Sequence, residues 1–320
     1  MTLAADTPGA VSKGGSFLDK GLLSTEYIVL IITGIVTGTM ARVITLVIDY
    51  RQNPSYPNGQ FINVVTGFVA AALGSVAIPA IMERDFTAIT FLALAIQHFR
   101  DIRKQEGDSL GKLEHTEYVK RGEAYIDGIA KTYEARNYIS LLTSLITVFV
   151  MQVSGIKDIF VLVLLGLAVG FASVMVMKSL TKGKTVGDIC TVRPGKITVD
   201  GSELHVDGMY VSSILGTDRS RELLLKEGLA VVVEPKKQIS RITLENYGQR
   251  QAMLFEAVRA LGVKRYKFTR RNFTQGKIII AFVPIVNDMD IFMAAVKNTP
   301  ILENSRKVHR IIKSRSENER

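Results

Sequence analysis

The chain has 320 residues, 47% of them hydrophobic, and a mean hydropathy of +0.21, which is too apolar for one large or two ordinary water-soluble domains. One cysteine, Cys190, excludes an internal disulfide framework and a cysteine-built zinc site. The net charge of +10 would raise nucleic acid as a partner in a soluble protein, so its position along the chain matters.

The four histidines, 98, 115, 205 and 309, have no ligand spacing, and the chain lacks H-E-x-x-H, a phosphate-loop motif and G-x-S-x-G. These absences point away from an enzyme, and no cofactor or metal is expected.

A spanning helix needs about 20 mostly apolar residues, because a rise of about 1.5 Å per residue must cover a hydrocarbon core of about 30 Å. Residues 1–26 read as an extracytoplasmic tail without a cleavage site, and the first apolar run as an anchor. Residues 27–48 and 61–82 qualify as membrane helices, and 86–99 is short enough to be interfacial instead. Residues 138–177 read as a membrane helical hairpin around the turn Ser154-Gly155-Ile156-Lys157-Asp158.

Gly34 and Gly38, Gly67, Ala71 and Ser75, and Gly166 and Gly170 have the small-residue spacing that lets helix backbones approach closely. Packing within the bundle is the plain reading of these residues, and self-association of identical chains the sharper one. Arg42 sits toward one end of its helix, where its side chain is expected to snorkel to the headgroups. Pro79 is expected to kink or end the second helix.

Lys and Arg near the segment ends set the orientation. The 100–136 loop holds eight basic residues, and Lys178, Lys182 and Lys184 open the C-terminal part, whereas the other side carries only Lys13, Lys20, Arg84 and Lys157. With all five segments spanning, this places the loop and everything after residue 177 in the cytoplasm and the N-terminus on the other side.

The charged loop, 100–137, balances its eight basic residues with eight acidic ones. From residue 117 it reads as an amphipathic helix, with Tyr118, Tyr125, Ile129 and Tyr133 on one face and Glu123, Asp127, Lys131 and Glu134 on another. Within it, Tyr125-Ile126-Asp127-Gly128-Ile129-Ala130 resembles the hexapeptide Tyr-Ile-Glu-Gly-Ile-Ala of the YIEGIA family of membrane proteins in endospore-forming Gram-positive bacteria, with Asp127 in place of Glu. The resemblance implies an integral membrane protein of sporulation, in assembly of the spore envelope, with other sporulation membrane proteins as partners. It carries no catalytic residues to transfer.

The part after residue 177 holds 26 Lys and Arg against 15 Asp and Glu, so the excess charge of the chain lies here. Residues 178–227 read as a small β unit. Its 188–192 strand precedes a hairpin in which Ile197 and Val199 face Leu204 and Val206 across an Asp200-Gly201-Ser202 turn, followed by a helix from Arg219 to Glu227. Residues 228–320 read as an α/β unit in the order βαββαβ of a ferredoxin-like sandwich, with 308–313 as a closing strand or helix. The fold expected is therefore a multi-pass α-helical membrane domain followed by a cytoplasmic α+β domain.

Basic residues cluster at Lys236, Lys237, Lys264, Arg265, Lys267, Arg270 and Arg271, with Tyr266, Phe268 and Phe273 among them. Anionic lipid or an acidic protein partner suits this surface better than nucleic acid, because the domain is tethered beneath a charged leaflet. Two functions compete. The first is a sporulation scaffold in the cell membrane or the membranes around the developing spore. The second is a homo-oligomeric channel, since the order of the segment from Gly166 to Met177 and the β and α/β units after it resembles small-conductance mechanosensitive channels.

Overall fold

A computed structural model describes residues 25–52, 57–82, 84, 86–181 and 183–306. The expected N-terminal tail before residue 25 and the closing element at 308–313 lie outside the described residues. The chain divides into two compact units. Unit 1 contains residues 1–103 and 132–181, and unit 2 contains 104–131 and 182–320.

Unit 1 is helical. It is built from α1 (Thr25–Gln52), α2 (Pro57–Met82), the first part of α3 (Phe86–Leu113), most of α4 (Glu123–Ser154) and α5 (Ile159–Thr181). Helices α1, α2, α4 and α5 are long and apolar enough to cross a membrane. Helix α3 does not stop near Phe99 but runs on through a charged half to Leu113. Helix α2 carries Pro79 and still continues to Met82.

The amphipathic helix expected from residue 117 begins only at Glu123, after Gly122 at a φ of 89°, so Tyr118 lies outside it. From there it is one helix with the apolar segment after Tyr138, because nothing between Glu123 and Ser154 breaks the hydrogen-bond ladder. Gly155, at a φ of 61°, then reverses the chain. The Asp158 carboxylate accepts hydrogen bonds from the backbone N–H groups of Phe160 and Val161 at 2.9 and 3.2 Å, starting α5.

Unit 2 contains a four-stranded antiparallel sheet in the order β1-β5-β7-β6, formed by β1 (Cys190–Pro194), β5 (Leu229–Pro235), β7 (Ile278–Val283) and β6 (Arg265–Arg271). A second sheet holds β2 (Ile197–Asp200), β3 (Glu203–Val206) and β4 (Met209–Ser212). The β2–β3 register pairs Ile197 with Val206 and Val199 with Leu204. The β3–β4 turn is Asp207-Gly208, both with positive φ, as a two-residue hairpin turn requires.

The helices of unit 2 are α6 (Val186–Ile189), α7 (Asp218–Glu227), α8 (Gln238–Glu245), α9 (Tyr247–Leu261) and α10 (Met289–Asn298). Strand β7 is buried at every position, Ile278 to Val283, because both of its faces are covered. Ile279, Ala281 and Val283, with Ala230 and Val232 of β5, pack against Leu204, Val206, Val211, Leu215 and Leu224. The alternate residues point the other way, where the Phe282 ring meets Phe292 of α10 edge-on at 5.0 Å.

Two expectations change here. The 188–192 strand does not join the small β unit; as β1 it pairs with β5, from Cys190 opposite Pro235 to Pro194 opposite Val231. Strands β5, β7 and β6 have the order and directions of the first three strands of a βαββαβ sandwich, and β1 takes the edge place where that sandwich puts its fourth. The domain boundary expected near residue 178 is also incomplete, because residues 104–131 of the charged loop group with unit 2.

Candidate functional site

The hexapeptide lies at the start of α4, inside unit 2. Its entry is held by Glu114, whose carboxylate accepts the Arg121 N–H at 2.6 Å and the Gly122 N–H at 3.2 Å. Gly122, at a φ of 89°, turns the chain into the helix. Tyr125, Ile126, Ile129 and Ala130 are buried, while Asp127 is exposed and Gly128 has no neighbour within 4 Å of where a Cβ would lie. The buried four share one helical face, as their spacing dictates.

That face is fixed to α9. The Tyr125 hydroxyl donates to Glu256 at 2.5 Å, and its ring meets Phe255 edge-on at 6.2 Å. Arg121 lies over the Phe255 ring at 5.0 Å, and Arg259 approaches Glu256 at 3.6 Å. Lys131 bridges Asp127 at 2.9 Å to Glu303 at 2.7 Å. Gln251 donates to the Lys120 carbonyl at 2.7 Å.

Helix α9 also holds the segment that follows α10. The fully buried Gln249 amide donates to the Pro300 carbonyl at 3.0 Å and accepts from the Leu302 N–H at 2.8 Å and the Ser305 hydroxyl at 3.2 Å. The hexapeptide is thus one half of a clip whose other half is the polar and aromatic face of α9.

The small residues named from sequence all sit at helix crossings inside unit 1. A Cβ on Gly34 would lie 2.5 Å from Ser75 Oγ, one on Gly38 2.6 Å from Ala71 Cβ, and one on Gly67 2.3 Å from Arg42 Cγ. Gly166 faces Met151 and Thr33, and Gly170 faces Thr37 and Thr147. Hydroxyls fasten these crossings: Ser140 donates toward the Gly38 and Gly67 carbonyls at 2.6 and 2.8 Å, and Thr37 meets Thr147 at 3.3 Å. Arg42 does not snorkel. It is 1% exposed, and its Nε donates to the Asn63 carbonyl at 3.1 Å.

The basic residues are distributed over unit 2, several of them engaged. Lys236 donates to the Gly187 carbonyl at 2.7 Å, Lys237 is the N-cap residue of α8, and Lys264 pairs with Glu227 at 2.7 Å. Arg265 lies over Tyr266, and Lys267 donates to the Tyr118 carbonyl and lies over the Tyr118 ring at 4.3 Å. Arg270 lies over Tyr210, and Arg271 pairs with Glu245 while stacking on Phe273. Strand β6 is a sheet edge, and this charge discourages edge-to-edge pairing of identical chains.

Glu114, Gln249, Phe255, Glu256 and Glu303 were not singled out in the sequence. Glu256 is 131 residues from Tyr125, and no local spacing links them. Gln249 has the appearance of an ordinary polar residue in the first turn of a helix. Among the described residues no group of three or more His, Cys, Asp or Glu is placed to hold a metal ion.

Comparison with known proteins agrees with the hexapeptide. The family described as YIEGIA protein matches residues 30–311. An uncharacterized protein of Bacillus subtilis (strain 168), YphB, is 36% identical over 290 residues, covering 88% of this chain and 94% of the relative. No solved structure matches the chain. The chain belongs to the YIEGIA family.

Proposed function

We propose that this YIEGIA protein is a non-catalytic membrane scaffold of sporulation, spanning the bilayer with α1, α2, α4 and α5. On this reading unit 2 lies in the cytoplasm and engages anionic lipid or other sporulation membrane proteins in spore-envelope assembly. The observation that carries the scaffold reading is the use of the hexapeptide itself. Tyr125, Ile126, Ile129 and Ala130 are buried and the Tyr125 hydroxyl is bonded to Glu256, so the residues that name the family hold the start of α4 to α9 within unit 2. The membrane reading draws on the outward-facing apolar side chains of unit 1, such as Phe160, Leu164 and Phe171 on α5. Sporulation as the setting draws on the family resemblance.

The experiment is a fluorescent fusion, expressed from its own locus, followed through sporulation. Enrichment at the membranes around the forming spore and a spore defect on deletion are expected. Uniform labelling of vegetative membranes with normal spores would overturn the proposal.

The channel stands second. It asks for a small-residue face on α5 free to pack against identical helices, whereas Gly166 and Gly170 face Met151, Thr33, Thr37 and Thr147 of the same chain, leaving Ala168 and Ala172 outside. Tension-gated conductance from reconstituted protein would reverse this order.

A further inference from the structure

Two exposed aromatic rings of unit 2, each with an arginine stacked on it, lie where β6 ends and α9 begins. Phe273, in the β6–β7 turn, is 71% exposed, and Tyr247, the first residue of α9, is 69% exposed. The Arg271 guanidinium lies 4.2 Å from the centre of the Phe273 ring and that of Arg250 lies 5.6 Å from the Tyr247 ring. Arg271 also pairs at 3.0 Å with Glu245, the last residue of α8 and two positions before Tyr247, which brings the two stacks together. Arg241 of α8 adds a third guanidinium, donating to the Thr274 carbonyl of the same turn at 2.9 Å.

The charges of this cluster do not balance. Against Arg241, Arg250 and Arg271 stands the Glu245 carboxylate. Arg250 Nε is buried with no hydrogen-bond partner. Burial first, and then the neighbouring charge of Arg271, hold the Arg250 guanidinium below its ordinary range, although Glu245 and Tyr247 act in the opposite sense. An incoming anion offsets the repulsion between the Arg250 and Arg271 guanidinium groups.

Composition selects the kind of anion. A Tyr, apolar in the ring and polar at the tip, suits the edge of a bilayer, and the exposed Phe273 ring adds apolar surface beside it. Guanidinium groups bond phosphate oxygens in a bidentate fork that an ammonium cannot reproduce. The chain of unit 2 is continuous with the apolar helices at residues 103–104, 131–132 and 181–182, so a bilayer is present at high effective concentration.

We propose that Tyr247, Arg250, Arg271 and Phe273 form a docking surface for the phosphodiester headgroups of an anionic bilayer, with the Phe273 ring entering the interfacial layer. This rests on the reading of the protein as membrane-spanning.

The test exploits the absence of tryptophan from the chain. Full-length protein carrying Phe273→Trp has that residue as its one tryptophan, and is placed in lipid nanodiscs that are either zwitterionic or rich in anionic phospholipid. In anionic discs the emission shifts to the blue and is quenched by brominated acyl chains. Both effects are lost with Arg250→Gln and Arg271→Gln together, and are weakened but still present with Arg250→Lys and Arg271→Lys, which keep the charge without the fork. A tryptophan at Ile214, 62% exposed on another loop, stays at the aqueous wavelength.

Should the Phe273 variant not fold, Thr274→Cys labelled with an environment-sensitive dye reads the same turn, since Cys190 is buried and escapes labelling. Equal quenching in both disc types would overturn anion recognition. Lack of quenching in either, from protein that still enters discs, would overturn the docking surface and leave the membrane-spanning reading intact, while failure to enter discs at all would overturn both. A shift produced only by a single-stranded oligonucleotide or an acidic peptide would reassign the surface.

Discussion

The two units of this chain obey opposite packing rules. In unit 1 many large apolar side chains face outward, among them Ile32 and Met40 on α1, Phe68 on α2 and Phe171 on α5, while glycine and hydroxyl residues line the helix crossings beside small buried clusters such as Leu30, Val148, Met151 and Leu162. In unit 2 the sheets enclose Val231, Val232, Ile279, Ile280 and Phe282, and lysine and arginine lie outside. Water drives the second arrangement, since removing apolar surface from it is the main gain. A hydrocarbon surround offers no such gain, so helices there associate by close backbone approach and interhelical hydrogen bonds. The proposed membrane placement of unit 1 accounts for this difference.

Four substitutions or conditions sharpen that contrast. The largest loss is expected from Phe282→Ala in unit 2, about 4 kcal/mol, because a filled apolar site becomes a cavity. A denaturant melt of the detergent-solubilised chain, followed by near-UV circular dichroism, measures it.

Gly74→Ala in unit 1 is expected to cost about 3 kcal/mol. Its Cβ would fall 2.2 Å from Ser144 Oγ and 2.3 Å from the Leu141 carbonyl oxygen, and a helix backbone has nowhere to move. Early loss of the monodisperse peak on heating in detergent is the readout. Gly128→Ala, with open space around the added methyl, is the control and should instead raise helix stability by about 1 kcal/mol.

Tyr125→Phe comes third. It removes the donor that Glu256 accepts at 2.5 Å and is expected to cost unit 2 about 2 kcal/mol at neutral pH. Limited proteolysis in the 114–122 connection, faster in the variant, would report the loosened clip.

The smallest effect is electrostatic. Arg193 pairs with Asp207 and with Glu234, and Lys277 pairs with Glu234 at 3.1 Å. Burial works against ionisation of Asp207, but the Lys196 N–H and the Arg193 guanidinium outweigh it and hold its carboxyl below the usual range. The Lys277 ammonium, ahead of opposing burial and aided by Arg193, does the same for Glu234. Depressed carboxyl pKa values mean that the stabilisation is complete above the unfolded values of about 4 and is lost as pH falls through the lower folded values. Asp207→Asn should cost about 1 kcal/mol at pH 7 and flatten the acid limb of a stability-versus-pH curve.

Much of the layout was legible in the sequence where its causes are local. The apolar runs of α1, α2 and α5, the Ile197 to Val206 pairing across its turn, and the helix expected from Arg219 to Glu227 and found as α7 each follow from neighbours a few residues apart. The hexapeptide was legible as a motif, but its partners were not. Tyr125 finds Glu256 and Phe255, Lys131 finds Glu303, and Arg42 finds the Asn63 carbonyl, all across separations at which no periodicity operates.

Strand β1 makes the same point in the backbone. Its residues alternate like any half-buried strand, and nothing in them distinguishes pairing with β2 from pairing with β5. The choice was made by the open edge of β5, because an unpaired row of backbone N–H and C=O groups beside a buried strand must be satisfied. Residue types and spacing thus determined which segments are helices and strands and which are apolar enough for a membrane. The tertiary structure decided that the charged loop belongs with unit 2 and that the hexapeptide is a clip, because the energy of such contacts lies in partners brought together only when the chain has folded.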